Sequence, residues 1–213
     1  MDELDILKRD WQQKEQNYPK VSSSEIYKML LKKSSSIVKW IFIISILEFV
    51  LWTIVSFLLK DSKYNQKFEE YGADNIMIPL MVLGYIILLY FFYKFYTNYK
   101  KISAVDNSRK LMEKILNTRK TVRHYVAFNL VYMAVSFFLV LGIQFNKDDK
   151  LMAVRDQAAA NGDLLLFYAK TIGISVIFLA FVIGLILGFY YLIYGILLKR
   201  LNGNYDELKR MDF

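Results

Sequence analysis

No cysteine occurs in the 213 residues, which excludes disulfides, thiolate metal sites and a cysteine nucleophile and leaves the redox compartment open. Histidine is almost as scarce. His124 is the only one, and one imidazole cannot build a metal site. It stands beside Arg123 and Tyr125 at the edge of an apolar run, a place where a side chain meets water and headgroups. No glycine-rich phosphate loop, G-x-S-x-G elbow or H-E-x-x-H helix is present. No nucleophile, base and orienter can be assembled, so no catalytic residue, metal ligand or cofactor is expected. Residues 1–36 lack an early apolar core and a small-residue cleavage site, and no cleavable signal peptide is expected there.

Apolar residues are what the chain has in quantity. They make up 55% of it, and the 23% that are charged gather between long apolar runs. That alternation is the mark of a polytopic membrane protein. Four runs reach the roughly 20 residues a helix needs to cross a bilayer. They are 40–59, 76–96, 125–145 and a long run from Leu164 to Leu198, whose buried part is placed at 172–198 with Lys170 at the outer interface and Asp163 as a helix cap. Pro79 falls in the first turn of the second run, where proline is tolerated. The expected fold is all-α: a bundle of four antiparallel transmembrane helices with short cytoplasmic amphipathic helices. Residues 1–36 form the N-terminal segment, 37–198 the transmembrane domain and 199–213 a tail.

Orientation follows from lysine and arginine. Lys8, Arg9, Lys14, Lys20, Lys28, Lys32 and Lys33 precede the first run. Lys100, Lys101, Arg109, Lys110, Lys114, Arg119, Lys120 and Arg123 fill the middle loop. The other two loops hold three basic residues each. The positive-inside rule then places both termini in the cytoplasm. The net charge of +8 is explained by anionic lipid, so the bilayer and not nucleic acid is the expected partner.

The flanking segments read as helices. Leu4, Leu7 and Trp11 share one amphipathic face. Ser22 and Glu25 have the spacing of a capping box, which starts a helix toward the first run. In the middle loop, Leu111, Met112, Ile115 and Leu116 form a narrow apolar face ringed by basic residues. That helix either lies on anionic lipid or extends the third span.

Glu48 is the one acid inside a span, and a carboxylate in hydrocarbon must find partners. Ser45, Glu48, Trp52 and Ser56 lie at helical spacing on one stripe. Asn129, Tyr132 and Ser136 form a matching stripe on the third span, and Tyr85, Tyr90 and Tyr190 lie at similar depth. The candidate intramembrane polar site is therefore Glu48, Ser45, Asn129, Tyr132 and Tyr190. With no second buried acid facing Glu48, a hydrogen-bonded strut is preferred over a proton or ligand site. Ala180, Gly184 and Gly188 have small-xxx-small spacing, with Gly173 and Gly195 nearby. They are expected to pack inside the bundle, with a homo-oligomer as the lesser alternative.

The stretch EIYKMLLKKSSSIVKWIFIISILEF, with the opening MDELDILKRDWQ, resembles a group of small four-span proteins of Bacteroidota-type bacteria. Members often carry the automatic label beta-carotene 15,15'-monooxygenase. Carotenoid-cleaving oxygenases hold iron with several histidines, a set this chain lacks. The group's association with sigma-factor genes implies a membrane-anchored regulator. A cytoplasmic protein partner at residues 1–36 is expected on that reading. A small transporter or channel subunit using Glu48 is the alternative.

Overall fold

The computed structural model describes residues 22–211 apart from positions 61 and 106. The amphipathic face of Leu4, Leu7 and Trp11 lies outside the described residues. Helix α1 spans Ser23–Leu58. Its capping box is formed: the Glu25 backbone N–H donates to Ser22 Oγ at 3.3 Å, and the Ser22 N–H donates to the Glu25 carboxylate at 2.9 Å. Two otherwise orphan donors are thereby satisfied. The serine run Ser34–Ser36 does not interrupt the helix. The boundary expected near residue 36 is thus no structural boundary, because nothing there breaks the hydrogen-bond ladder.

A short helix, α2 (Lys63–Glu70), and Gly72 lead into α3 (Asp74–Ser103). Gly72 has φ 67°, a left-handed conformation that glycine adopts without steric cost. Pro79 stands at the sixth position of α3, one turn deeper than expected. Helix α4 runs unbroken over Ser108–Lys147, 40 residues, with the Asn107 side chain accepting from the Arg109 N–H at 2.9 Å. Helix α5 (Asp149–Ala160) follows, capped by Asp148. Helix α6 (Leu164–Tyr190) passes through one π-helical turn, Tyr191–Gly195, into α7 (Ile196–Met211). The fourth long helix starts at Leu164, where the apolar run begins. Asp163 flanks it without making a side-chain cap hydrogen bond.

The fold is an all-α bundle in which α1, α3, α4 and the α6–α7 rod are each long and apolar enough to cross a membrane. At about 1.5 Å per residue, α4 alone is roughly 60 Å long, twice the thickness of a hydrocarbon core. The surplus length, residues 108–124, lies at the end that carries the α3–α4 turn, Ser22 and α7, the basic end of the bundle. The best-buried core is here. Leu30 and Val38 of α1, Phe95 and Ile102 of α3, Leu111, Ile115 and Val122 of α4, and Leu201 and Leu208 of α7 are packed together. In contrast, no more than 11% of any apolar 18-residue window is buried, as expected of surfaces solvated by lipid.

This placement settles the role of the middle segment. Leu111 and Ile115 are fully buried, although Leu116 stays exposed, so the face is turned mainly to the other helices and the segment extends α4 instead of lying on lipid. Residues 199–211 are likewise no loose tail. They belong to α7, and Leu201, Asn204 and Leu208 are buried. Polar contacts fix the register: Asn204 Nδ2 donates to Ser34 Oγ at 3.0 Å, and the Tyr27 hydroxyl donates to the Val105 carbonyl at 2.9 Å. At the far end, Tyr71 donates to the Asp148 carboxylate at 3.2 Å, joining the two outer connections.

Candidate functional site

Glu48 lies on the inward-facing side of α1, half-buried. Three tyrosine hydroxyls converge on its carboxylate. Tyr125 donates to Oε2 at 2.9 Å, Tyr194 donates to the same oxygen at 3.3 Å, and Tyr190 donates to Oε1. Both oxygens are therefore occupied, and three helical segments besides α1 are tied to one point. The rings also touch each other. Tyr125 is 6.5 Å from Tyr190 and 6.1 Å from Tyr194 between centroids, and Tyr190 is 5.7 Å from Tyr194. Phe91 and Phe95 of α3 pack edge-on against Tyr125 at 5.6 and 5.5 Å. Such edge-to-face pairs suit the aromatic quadrupole.

Tyr190 and Tyr194 share one acceptor because residues four apart lie on one face of a helix, and a π turn, Tyr191–Gly195, begins between them. A π-helical turn widens the hydrogen-bond ring from i→i+4 to i→i+5. Tyr190, just before the turn, and Tyr194, within it, are both buried and face inward together. Tyr191, between them, is exposed. Its ring lies 3.3 Å from where a Cβ on Gly195 would stand, so the turn also has a tight outer wall.

Of the expected site residues, the structure unites Glu48 and Tyr190. Asn129 lies beside the cluster near Tyr125 and Tyr190, but its buried Nδ2 makes no hydrogen bond. Ser45 is buried and turned back on its own helix, donating to the Phe42 carbonyl at 2.8 Å. Tyr132 is occupied elsewhere, donating to the Leu80 carbonyl at 3.3 Å. Trp52 and Ser56 are exposed, so the expected polar stripe on α1 does not continue inward beyond Glu48. Beyond Glu48, α1 is exposed from Val50 to Ile54 and from Ser56 to Leu58.

Two partners escaped the sequence reading. Tyr194 and Tyr125 both stand near the end of an apolar run, where tyrosine is ordinarily an interfacial residue. The available signal was the spacing of Tyr190 and Tyr194, two hydroxyls four residues apart in an otherwise apolar run. Nothing in the sequence marks the π turn that begins between them.

The small-residue face is also corrected. Ala180, Gly184 and Gly188 are exposed, and a Cβ at Gly173, Gly184 or Gly188 would meet nothing within 4 Å. That face of α6 points away from the bundle, so these residues do not carry the packing expected of them. The close helix approach is made by Gly84 of α3, where a Cβ would lie 2.8 Å from Cζ of Tyr132. Among the described residues, no group of three histidine, cysteine, aspartate or glutamate side chains could hold a metal ion.

Neither a comparison with curated proteins nor one with solved structures found a match. A family model does match, over residues 24–213, nearly all of the described chain, and with it the tyrosine-bound carboxylate and the packed basic end. The chain belongs to the family DUF8845, a domain of unknown function.

Proposed function

We propose that the protein is a non-enzymatic, membrane-anchored regulatory or interaction protein of the bacterial inner membrane, with its basic end and both termini in the cytoplasm. The observation that carries this reading is the position of the packed core. Four helices combine at the basic end into one packed head, beside which the chain enters the first span, and a cytoplasmic protein partner at residues 1–36 would dock next to that head. A partner docked there is mechanically coupled to the spans through Glu48 and the Ser34–Asn204 bond. The saturated carboxylate supports the same reading, since a group that already accepts three hydrogen bonds serves as a strut.

A transporter or channel subunit is the second reading. It rests on Asn129 Nδ2 and Ser136 Oγ, two buried polar atoms without hydrogen bonds, which a hydrated path beside Glu48 would satisfy.

Two measurements test the proposal. Single cysteines at Gln66 and Gln157 should react with an impermeant thiol reagent in intact cells, and cysteines at Gln13 and Asn107 should not; the reverse pattern overturns the orientation. Photo-crosslinking from residues 1–36 in native membranes should yield a discrete protein adduct. Its absence, together with ion or solute flux in proteoliposomes that Glu48→Gln abolishes, would replace the regulator by the transporter.

A further inference from the structure

Between α3 and α4, where both leave the membrane at the basic end, lies a groove of ≈ 500 Å³. Lys94, Lys101, Lys114, Lys120 and His124 line it, and no carboxylate does. A hydrogen bond from Asn98 Nδ2 to Thr121 Oγ1, 3.1 Å long, bridges the two helices and fixes their register. Tyr90 and Tyr93 close the end nearest the membrane. Lys94 sits 5.5 Å above the Tyr90 ring, and that cation–π contact holds its ammonium at the groove's membrane end.

The register allows the charges to be placed along the axis. Residue 98 of α3 stands level with 121 of α4, and the helices are antiparallel. Moving outward from the tyrosines, the order is Lys94 with His124, then Lys120, Lys101 and Lys114. From Lys94 to Lys114 the rise is roughly 16 Å. Lys114 approaches the Glu113 carboxylate at 3.4 Å. Lys94, Lys101 and Lys120 have no ion pair among the described residues. Like charges gathered in one groove repel each other, and an arrangement without compensating acids is stabilised by a bound anion. A groove with an aromatic floor at the membrane and a column of ammonium groups above it matches an amphiphile that bears phosphate close to acyl chains.

We infer that the α3–α4 groove is a binding site for the phosphate headgroup of an anionic glycerophospholipid, with the acyl chains descending past Tyr90 and Tyr93. The site requires the bilayer but neither the partner at residues 1–36 nor a transport path, so it stands apart from the function proposed above. Lys94 and Lys120 hold the phosphate nearest the glycerol. Lys101 extends the site to a second phosphate where the lipid carries one.

The test uses the full chain purified in a neutral detergent. Native mass spectrometry and thermal stability are followed with added phosphatidylglycerol, cardiolipin, phosphatidylcholine or inorganic phosphate. Phosphatidylglycerol or cardiolipin should remain bound in small integral number and raise the melting temperature, and phosphatidylcholine should do neither. Lys94→Gln with Lys120→Gln, both exposed and outside the packed core, should weaken retention roughly tenfold or more. Lys28→Gln with Lys209→Gln, which keeps the net charge equal to that of the groove variant, should not. Stabilisation by inorganic phosphate equal to that by phospholipid would show a free-phosphate site and overturn the lipid assignment. Equal loss in both double variants would reduce the effect to general charge and overturn the groove itself.

Discussion

Glu48 illustrates how one polar side chain can organise a lipid-exposed bundle. Its neighbours on α1 are solvated by lipid, so helix association gains little there from the hydrophobic effect and depends on packing and hydrogen bonds. Glu48→Gln keeps shape and hydrogen-bonding capacity, and the tyrosine hydroxyls can rotate to accept from its amide. It should leave folding nearly intact. Glu48→Leu removes every acceptor for Tyr125, Tyr190 and Tyr194. At about 0.6 kcal/mol for an average interhelical bond, the loss should be roughly 1–2 kcal/mol. Thermal unfolding in detergent separates the two, and a Glu48→Gln protein as unstable as Glu48→Leu would contradict the strut. Gly84 is the steric counterpart. An alanine Cβ would stand 2.8 Å from Cζ of Tyr132, and the ring cannot move aside without losing its bond to the Leu80 carbonyl. Gly84→Ala should destabilise by about 1–3 kcal/mol, the usual cost of overpacking. Adding Tyr132→Leu should recover part of that loss, because the two sites are in contact. A Gly84→Ala protein as stable as the parent would show that Tyr132 repacks freely.

Long apolar runs are legible because lipid imposes length and composition on them, and the capping box is legible because it is a local bargain between Ser22 and Glu25. Helix ends beyond the membrane are harder to read. The 108–124 stretch has a narrow apolar face that suits a lipid surface or another helix equally well, and only the positions of Leu30, Ile102 and Leu201 decide it. Glu48 was legible as a residue in need of partners. Tyr125 and Tyr194 were not, since a tyrosine at the end of an apolar run suits the membrane interface as well as it suits a buried acceptor on another helix. The N-terminus of α1 has a testable pH dependence. Hydrogen bonds from Ser22, first its backbone N–H and then its hydroxyl, hold the Glu25 carboxyl below its ordinary value of 4.5. A depressed folded-state value means that the stabilisation is present above the ordinary value and is lost as pH falls through the depressed one. Amide exchange over residues 23–27 should therefore accelerate, relative to intrinsic rates, as pH drops below 4.5. Glu25→Gln, which cannot ionise, should show no such step. A step of equal size in that variant would place its origin elsewhere.

As a whole, the molecule joins two differently solvated halves, and its stability is concentrated in one. Toward the far end the helices touch little and expose apolar side chains to lipid. At the basic end they share one core of buried side chains. Residues 201–211 close that core, so they should be indispensable in a way that a flexible tail is not. Deleting everything after Arg200 removes Leu201 and Leu208, both fully buried. Each contributes about 1.5–3 kcal/mol by burial. The deletion also leaves Ser34 Oγ, buried and turned toward Asn204, without that partner, at roughly 1–3 kcal/mol more. Together these approach the whole stability of a small domain, on the order of 5–15 kcal/mol. The spans should still insert, because their hydropathy is untouched. The head should open, however, and trypsin should cut at Lys28, Lys32 or Lys33 in inverted membrane vesicles, sites that resist it in the complete chain. Asn204→Leu gives a graded version, filling the volume while removing the donor, and should open the head less than the deletion. If the truncated chain resists trypsin as well as the complete one, then α7 is an appendage and the helices before it hold the head together unaided.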